Sequence, residues 1–175
     1  VGGGASNALS ASEIAEIIVF PNDDNTNNER QRVESYLAAK YGITLPFSYM
    51  ASDSSVFWNI GANTAYNNNI TVIGRDDASG LNQKQAISIN AGSKVIISSG
   101  ALATSNLSNV NAIALDKQFL TIGDNNLSGY VAFSDTFGDS SIFSRSNKIW
   151  FAKNTGAYSQ ETRILIPTAL YNGAG

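Results

Sequence analysis

Arg75, Asp76 and Asp77 follow the apolar triplet VIG within VIGRDDASGLNQKQ, residues 72–85. Two carboxylates and a guanidinium at the end of a strand could act as an acid pair, hold a hard cation or brace the sheet. On an extended strand, neighbouring side chains point to opposite faces. Catalytic carboxylates must converge across a substrate at ~5–10 Å, which adjacent positions do poorly. Calcium fits better, because hard cations take several oxygen ligands, and DDASGLN offers Asp76, Asp77, Ser79, Asn82 and backbone carbonyls within one turn. The run lacks the D-x-D-x-D-G spacing and terminal Glu of an EF-hand loop. The favoured assignment is structural. Arg75 pairs with Asp76, Asp77 or a carbonyl, Ser79-Gly80 makes the turn, Leu81 returns to the core, and Gln83 and Gln85 cap neighbouring strands.

Other candidates are weaker. Asp23 and Asp24 lie in PNDDNTNN ahead of a helix and offer a second calcium loop, although acidic residues there also suit the helix dipole. Asp124, Asp135 and Asp139 sit in turn-like sequence. Trp58, Tyr66 and Trp150 are the aromatics to test as a carbohydrate platform, against the alternative that the tryptophans anchor a core. A Lys–Asn isopeptide bond, known in some surface proteins, needs a buried Lys, a buried Asn and a nearby acid. Lys117 and Lys148 lie in or next to strands, but Asn is frequent enough for chance proximity. The chain has no Cys and no His. That removes thiol chemistry, imidazole triads and zinc sites of the usual kind. No Gly-rich stretch fits a phosphate loop. No cofactor is expected beyond calcium.

The elements that position these residues are read from texture. Of 175 residues, 43% are hydrophobic and only 14% charged, against roughly 25% charged in an ordinary soluble domain. Asn, Ser, Thr and Gly carry the polarity, which suits turns and β-surfaces. Net charge is −3, with the basic residues scattered, so no nucleic-acid partner is expected. No apolar run reaches the ~18 residues of a membrane span. VGGGASN lacks the regions of a signal peptide. Val1 is not an initiator Met, which points to a processed chain or a piece of a longer polypeptide.

Residues 13–20 read as a strand. Thr26 and Glu29 form a capping box, and Val33, Leu37 and Tyr41, with Tyr36 beside them, predict a helix over about 27–41 with one apolar face. Gly42 suits the left-handed position after it. Beyond Pro46, apolar bursts at 56–60, 70–74, 86–90, 94–99, 119–124, 130–134, 148–153 and 162–167 alternate with turn signals, and NAG at 90–92 is a hairpin turn. The pattern predicts a mainly β fold, an antiparallel β-sandwich. Residues 100–115 could hold a helical turn or a loop. The boundary falls near 45–47, giving an incomplete unit 1–45 and a sandwich 46–175 that could end short of its natural C-terminus.

IAEIIVF followed by NNERQRVESYLAAKYGITL resembles the closing strand and terminal helix of a concanavalin-like (LamG-type) jelly-roll module. VFWNIGANTAYNNNITVIGRDDASGLNQKQAISIN, FLTIGDNN and IWFAKNTG resemble the domain of unknown function that often follows that helix in large secreted surface proteins of gliding bacteria. The resemblance covers nearly the whole chain and brings no catalytic residue set. It implies a strand-plus-helix tail of a lectin-like module ahead of the sandwich. It also implies type 9 export and an extracellular, cell-surface setting with a role in adhesion or gliding motility. The expected function is a non-catalytic adhesin or spacer. The alternatives are a carbohydrate-binding accessory module of a secreted enzyme, or a subunit or cargo of a surface filament or secretion assembly. Expected partners are the rest of a longer polypeptide or neighbouring chains, and glycans.

Overall fold

The capping box forms as the spacing predicts. The structure, a computed structural model, describes residues 14–19, 26–91, 95–132 and 144–167. Thr26 Oγ1 accepts from the Glu29 amide at 3.3 Å, and the Glu29 carboxylate accepts from the Thr26 amide at 3.1 Å. Two otherwise orphaned backbone donors are thereby satisfied, and helix α1 runs Asn27–Tyr41. Gly42 ends it with φ 68°, its amide bonded to the Ala38 carbonyl.

The face that α1 buries differs from the one its large apolar residues mark. Ser35, Ala38 and Ala39 are buried, whereas Val33, Tyr36, Leu37 and Tyr41 are half-buried. Small side chains let the helix backbone come close to the strands beneath. Gln31 and Arg32 then reach the Ser48 and Ser52 carbonyls at 2.6 and 2.7 Å, and Ser35 Oγ accepts from the Met50 amide at 2.9 Å. These bonds cover the edge of a strand that would otherwise present unpaired backbone groups.

Among the described residues eleven strands follow: β1 Tyr49–Met50, β2 Val56–Trp58, β3 Asn68–Asp76, β4 Leu81–Gln83, β5 Gln85–Ile87, β6 Ile96–Ser99, β7 Gln118–Asp124, β8 Tyr130–Ala132, β9 Ser144–Ser146, β10 Trp150–Thr155 and β11 Thr162–Leu165. Every apolar burst read from the sequence supplies one of them. Strands β1, β4 and β9 carry too few apolar residues to be read that way. All the pairings are antiparallel. The sheets have the orders β10-β7-β3-β4, β11-β6-β5, β1-β2 and β8-β9. Residues 100–115 form a loop with one turn, and the 90–92 turn runs outside the described residues at Gly92.

The four-stranded sheet is covered on both faces. On one face, Trp58, Tyr49, Phe57, Ile70, Val72 and Phe119 pack with Ala38 and Ala39 of α1. On the other, Ile73 and Ile122 pack with Ala86 and Ile97 of the three-stranded sheet. The sandwich is thus two facing sheets, with α1 and the β1–β2 ribbon over its outer side. Residues 69–74 are buried without interruption, as a strand with both faces covered requires.

Residues 14–19 pair in no sheet among the described residues, which corrects the strand read there. A lone extended segment has no ladder for its backbone groups, whatever its apolar content. It is instead held by Glu16, whose carboxylate accepts from Tyr36, Lys40 and Tyr41, each at 3.0 Å.

Candidate functional site

The end of β3 carries the residues with which the sequence argument began. Arg75 and Asp77 form a two-pronged ion pair, Nε to Oδ1 at 2.7 Å and Nη2 to Oδ2 at 2.9 Å. The other guanidinium nitrogen donates to the Ile113 and Ala114 carbonyls at 3.3 and 3.2 Å. The fork therefore ties the strand end to the loop before β7. Asp77 also donates its amide to Asp116 at 2.8 Å. Gly80, with φ 71°, closes the turn, and Leu81 is buried again.

Asp76 points the other way and is 2% exposed. It accepts from the Ser52 amide at 2.7 Å, the Ser52 hydroxyl at 2.6 Å and Lys117 Nζ at 2.6 Å. Burial pushes its carboxyl up, but the hydrogen bonds from Lys117 and Ser52 outweigh that and hold it below the usual carboxylate range. Desolvation pulls the Lys117 ammonium down, and Asp76 and Asp116 more than restore it, so it stays charged. An aspartate held ionised by three donors cannot give up a proton near neutral pH. A general-acid role for it is thus unfavourable.

The calcium reading of this loop meets the same obstacle. Lys117 and Arg75 already occupy the positive positions beside Asp76 and Asp77. Among the described residues, no group of three or more acidic, His or Cys side chains could hold a metal ion. Asp23, Asp24, Asp135 and Asp139 lie outside those residues.

Beside Asp76 a cavity of about 490 Å³ opens between α1 and the segment at 16–18, lined by Glu16, Arg32, Tyr36, Ser52, Asp76 and Phe119 among others. It is partly apolar, and several of its polar groups are engaged: Glu16 with Tyr36, Arg32 Nη1 with the Ser52 carbonyl, Ser52 with Asp76, whereas Arg32 Nε is buried without a hydrogen-bond partner.

The aromatic candidates do not assemble into one platform. Trp58 is fully buried and donates its indole N–H to Asn67 at 2.9 Å. Tyr66 stacks on Phe151 at 5.5 Å beside the first core, whereas Trp150 packs on the second core, across the sheet. A sugar ring has no access to Trp58, and the other two face different sides.

Asp124, read as a turn residue, is instead 1% exposed at the end of β7. Its partners are Asn69, Asn126 and Lys148. Sequence reasoning missed Ser52 and Asp116 as partners of the 75–77 group. For Lys117, its place between Asp116 and the start of β7 is a usable signal in the sequence. The link from Ser52 to Asp76 spans 24 residues and left none.

A family model described as a domain of unknown function (DUF8202) matches residues 29–174. The chain belongs to this family. No curated protein and no solved structure matches it. The DUF8202 match begins inside α1 and takes in every strand, in keeping with the core that helix and sheets share. No helix among the described residues is long and apolar enough to cross a membrane.

Proposed function

We propose that this DUF8202 chain is a non-catalytic module of a large extracellular surface protein, acting as spacer or adhesin. The observation that carries the reading is the clasp at the end of β3. The charged residues best suited to chemistry are spent on each other and on backbone, joining β3 to the β1–β2 ribbon and to the loop before β7. The sparse charge and the Asn- and Ser-rich loops support an exposed setting, as does the resemblance to surface proteins of gliding bacteria. Antibody labelling of intact, unpermeabilised source cells tests it. Surface staining that protease shaving removes is the expected result, and staining only after permeabilisation overturns the proposal.

The assembly reading draws on one observation of its own. Ile14, Ile17 and Val19 are 71–82% exposed beside α1, an apolar strip suited to the rest of a longer polypeptide or to a neighbouring chain. A monomer in solution scattering, with those residues protected from labelling, counts against it. The carbohydrate reading is separated by a glycan array. Binding that Tyr66→Ala or Trp150→Ala abolishes would favour it over the spacer.

A further inference from the structure

At the opposite end of β3 from the clasp, an amine, an amide and a carboxylate meet out of solvent. Lys148 has a side chain 8% exposed and Asp124 one 2% exposed, and Asn69 is 6% exposed. Asp124 Oδ2 accepts from Asn69 Nδ2 at 2.8 Å and from Lys148 Nζ at 3.2 Å. Oδ1 accepts from Asn69 Nδ2 at 3.0 Å and from the Asn126 amide at 2.8 Å. The lysine nitrogen and the asparagine amide therefore flank a single carboxylate oxygen. Asn69 reaches that place through a distortion of β3. Its φ is 53°, and the register with β7 slips between Asn68 and Thr71. Bulges of this kind re-aim a side chain that a regular strand would point elsewhere.

We propose that Lys148 and Asn69 join in an isopeptide bond, with Asp124 as the proton carrier. Asp124 takes a proton from the Lys148 ammonium, which frees the amine lone pair. The amine attacks Asn69 Cγ and the new C–N bond forms. The attacking nitrogen's second proton passes by way of Asp124 to Nδ2, the Cγ–Nδ2 bond breaks, and Nδ2 leaves as ammonia. One ammonium, one primary amide and one carboxylate become one secondary amide, one ammonia and one carboxylic acid. Atoms and charge balance, and no oxidant or co-reactant enters.

The geometry suits the proton transfers of this step. The nucleophile and the leaving nitrogen both contact the group that must move protons between them, as general acid–base catalysis requires. Amide aminolysis is slow in water, but fixed proximity is worth effective molarities of roughly 10⁵–10⁸ M. The bond would staple β3 to the lead-in of β10 across the central strand β7. Lys117, whose side chain is 22% exposed, provides an internal contrast. Lys117 meets Asp76 and Asp116 but no side-chain amide, so it stays an ion pair.

The test is the intact mass of the folded chain, measured under denaturing conditions, with a tryptic digest. The wild type is expected one ammonia lighter than its sequence. A branched peptide should join residues 41–75 to 146–153, because the bonded Lys148 is no longer a trypsin site. Lys148→Arg and Asp124→Asn are expected at full mass. A full-mass wild type overturns the proposal. So does loss of water in place of ammonia, which would make Asp124 the acceptor. An ammonia loss that persists in Lys148→Arg overturns it too, since that is the mark of an asparagine cyclising on its own backbone. The wild-type mass and the branched peptide decide the matter even where a variant fails to fold.

Discussion

Asp76 shows how much a single residue's role depends on what it meets. The sequence leaves Asp76, Asp77 or a carbonyl open as the partner of Arg75, and the structure pairs it with Asp77 and two carbonyls. Asp76 itself turns inward to Ser52 and Lys117. Removing one partner of a buried ion pair costs about 3–5 kcal/mol, because the remaining charge is left uncompensated. Asp76→Asn should therefore lower stability by roughly 3 kcal/mol at neutral pH, measured by urea unfolding. The pH dependence has a definite sign. The carboxyl is held below its usual range in the folded chain, so the unfolded chain binds its proton more readily. Its contribution is present above the unfolded-state value of about 4 and is lost as pH falls through the lower folded-state value. The wild type should lose stability across that acid window, and Asp76→Asn should show a flatter curve there. Equal slopes in the two proteins would mean that Asp76 is not the group responsible.

At the scale of elements, local chemistry was legible and docking was not. Cap, length and stop signal of α1 follow from Thr26, Glu29 and Gly42, because these interactions lie within a few residues. The docking face follows from Ser35, Ala38 and Ala39, whose small side chains carry little hydrophobic signal. Gly42 joins the two levels. A Cβ there would sit 2.1 Å from the Ile87 carbonyl oxygen, and the Gly42 carbonyl accepts from the Ile89 amide at 3.0 Å. Gly42→Ala should combine left-handed strain of about 1–2 kcal/mol with that clash. Gly80 has the same left-handed backbone but nothing within 4 Å of a Cβ, so Gly80→Ala should cost only the strain. Thermal melts of the two variants give the comparison, and equal losses would contradict the close approach at Gly42. The corner between β4 and β5 was also hidden. The chain passes there from one sheet to the other, and the side chain of Asn106 accepts from the Lys84 and Gln85 amides at 2.6 and 3.2 Å. An asparagine 21 residues away gives no local sign of that duty.

Across the whole molecule, β3 and β7 lie at the middle of both cores. Ile70 and Val72 face one side and Ile73 the other. Neither core can be lost without exposing the sheet that forms the wall of its neighbour. Each core also carries a reporter, Trp58 in the first and Trp150 against the second. Fluorescence of Trp58→Phe and Trp150→Phe should then report one coincident unfolding transition within each variant, matching its circular dichroism. Transitions that separate in denaturant would show that helix and sandwich unfold as distinct units.

The sequence by itself determined the class of fold, the helix with both its ends, and the places where eight of the strands run. Those features arise from side-chain periodicity and from hydrogen bonds that close within a turn. Only the tertiary structure decided which small face of α1 is buried, that residues 14–19 find no strand partner among the described residues, and that Asp76 meets Lys117 and Asp124 meets Lys148 and Asn69. The ion pairs and the Asn69 contact join side chains 24 to 55 residues apart. In a chain so rich in Asn, Ser and Asp, many such pairings are chemically equivalent, and only the packing of the two cores selects among them.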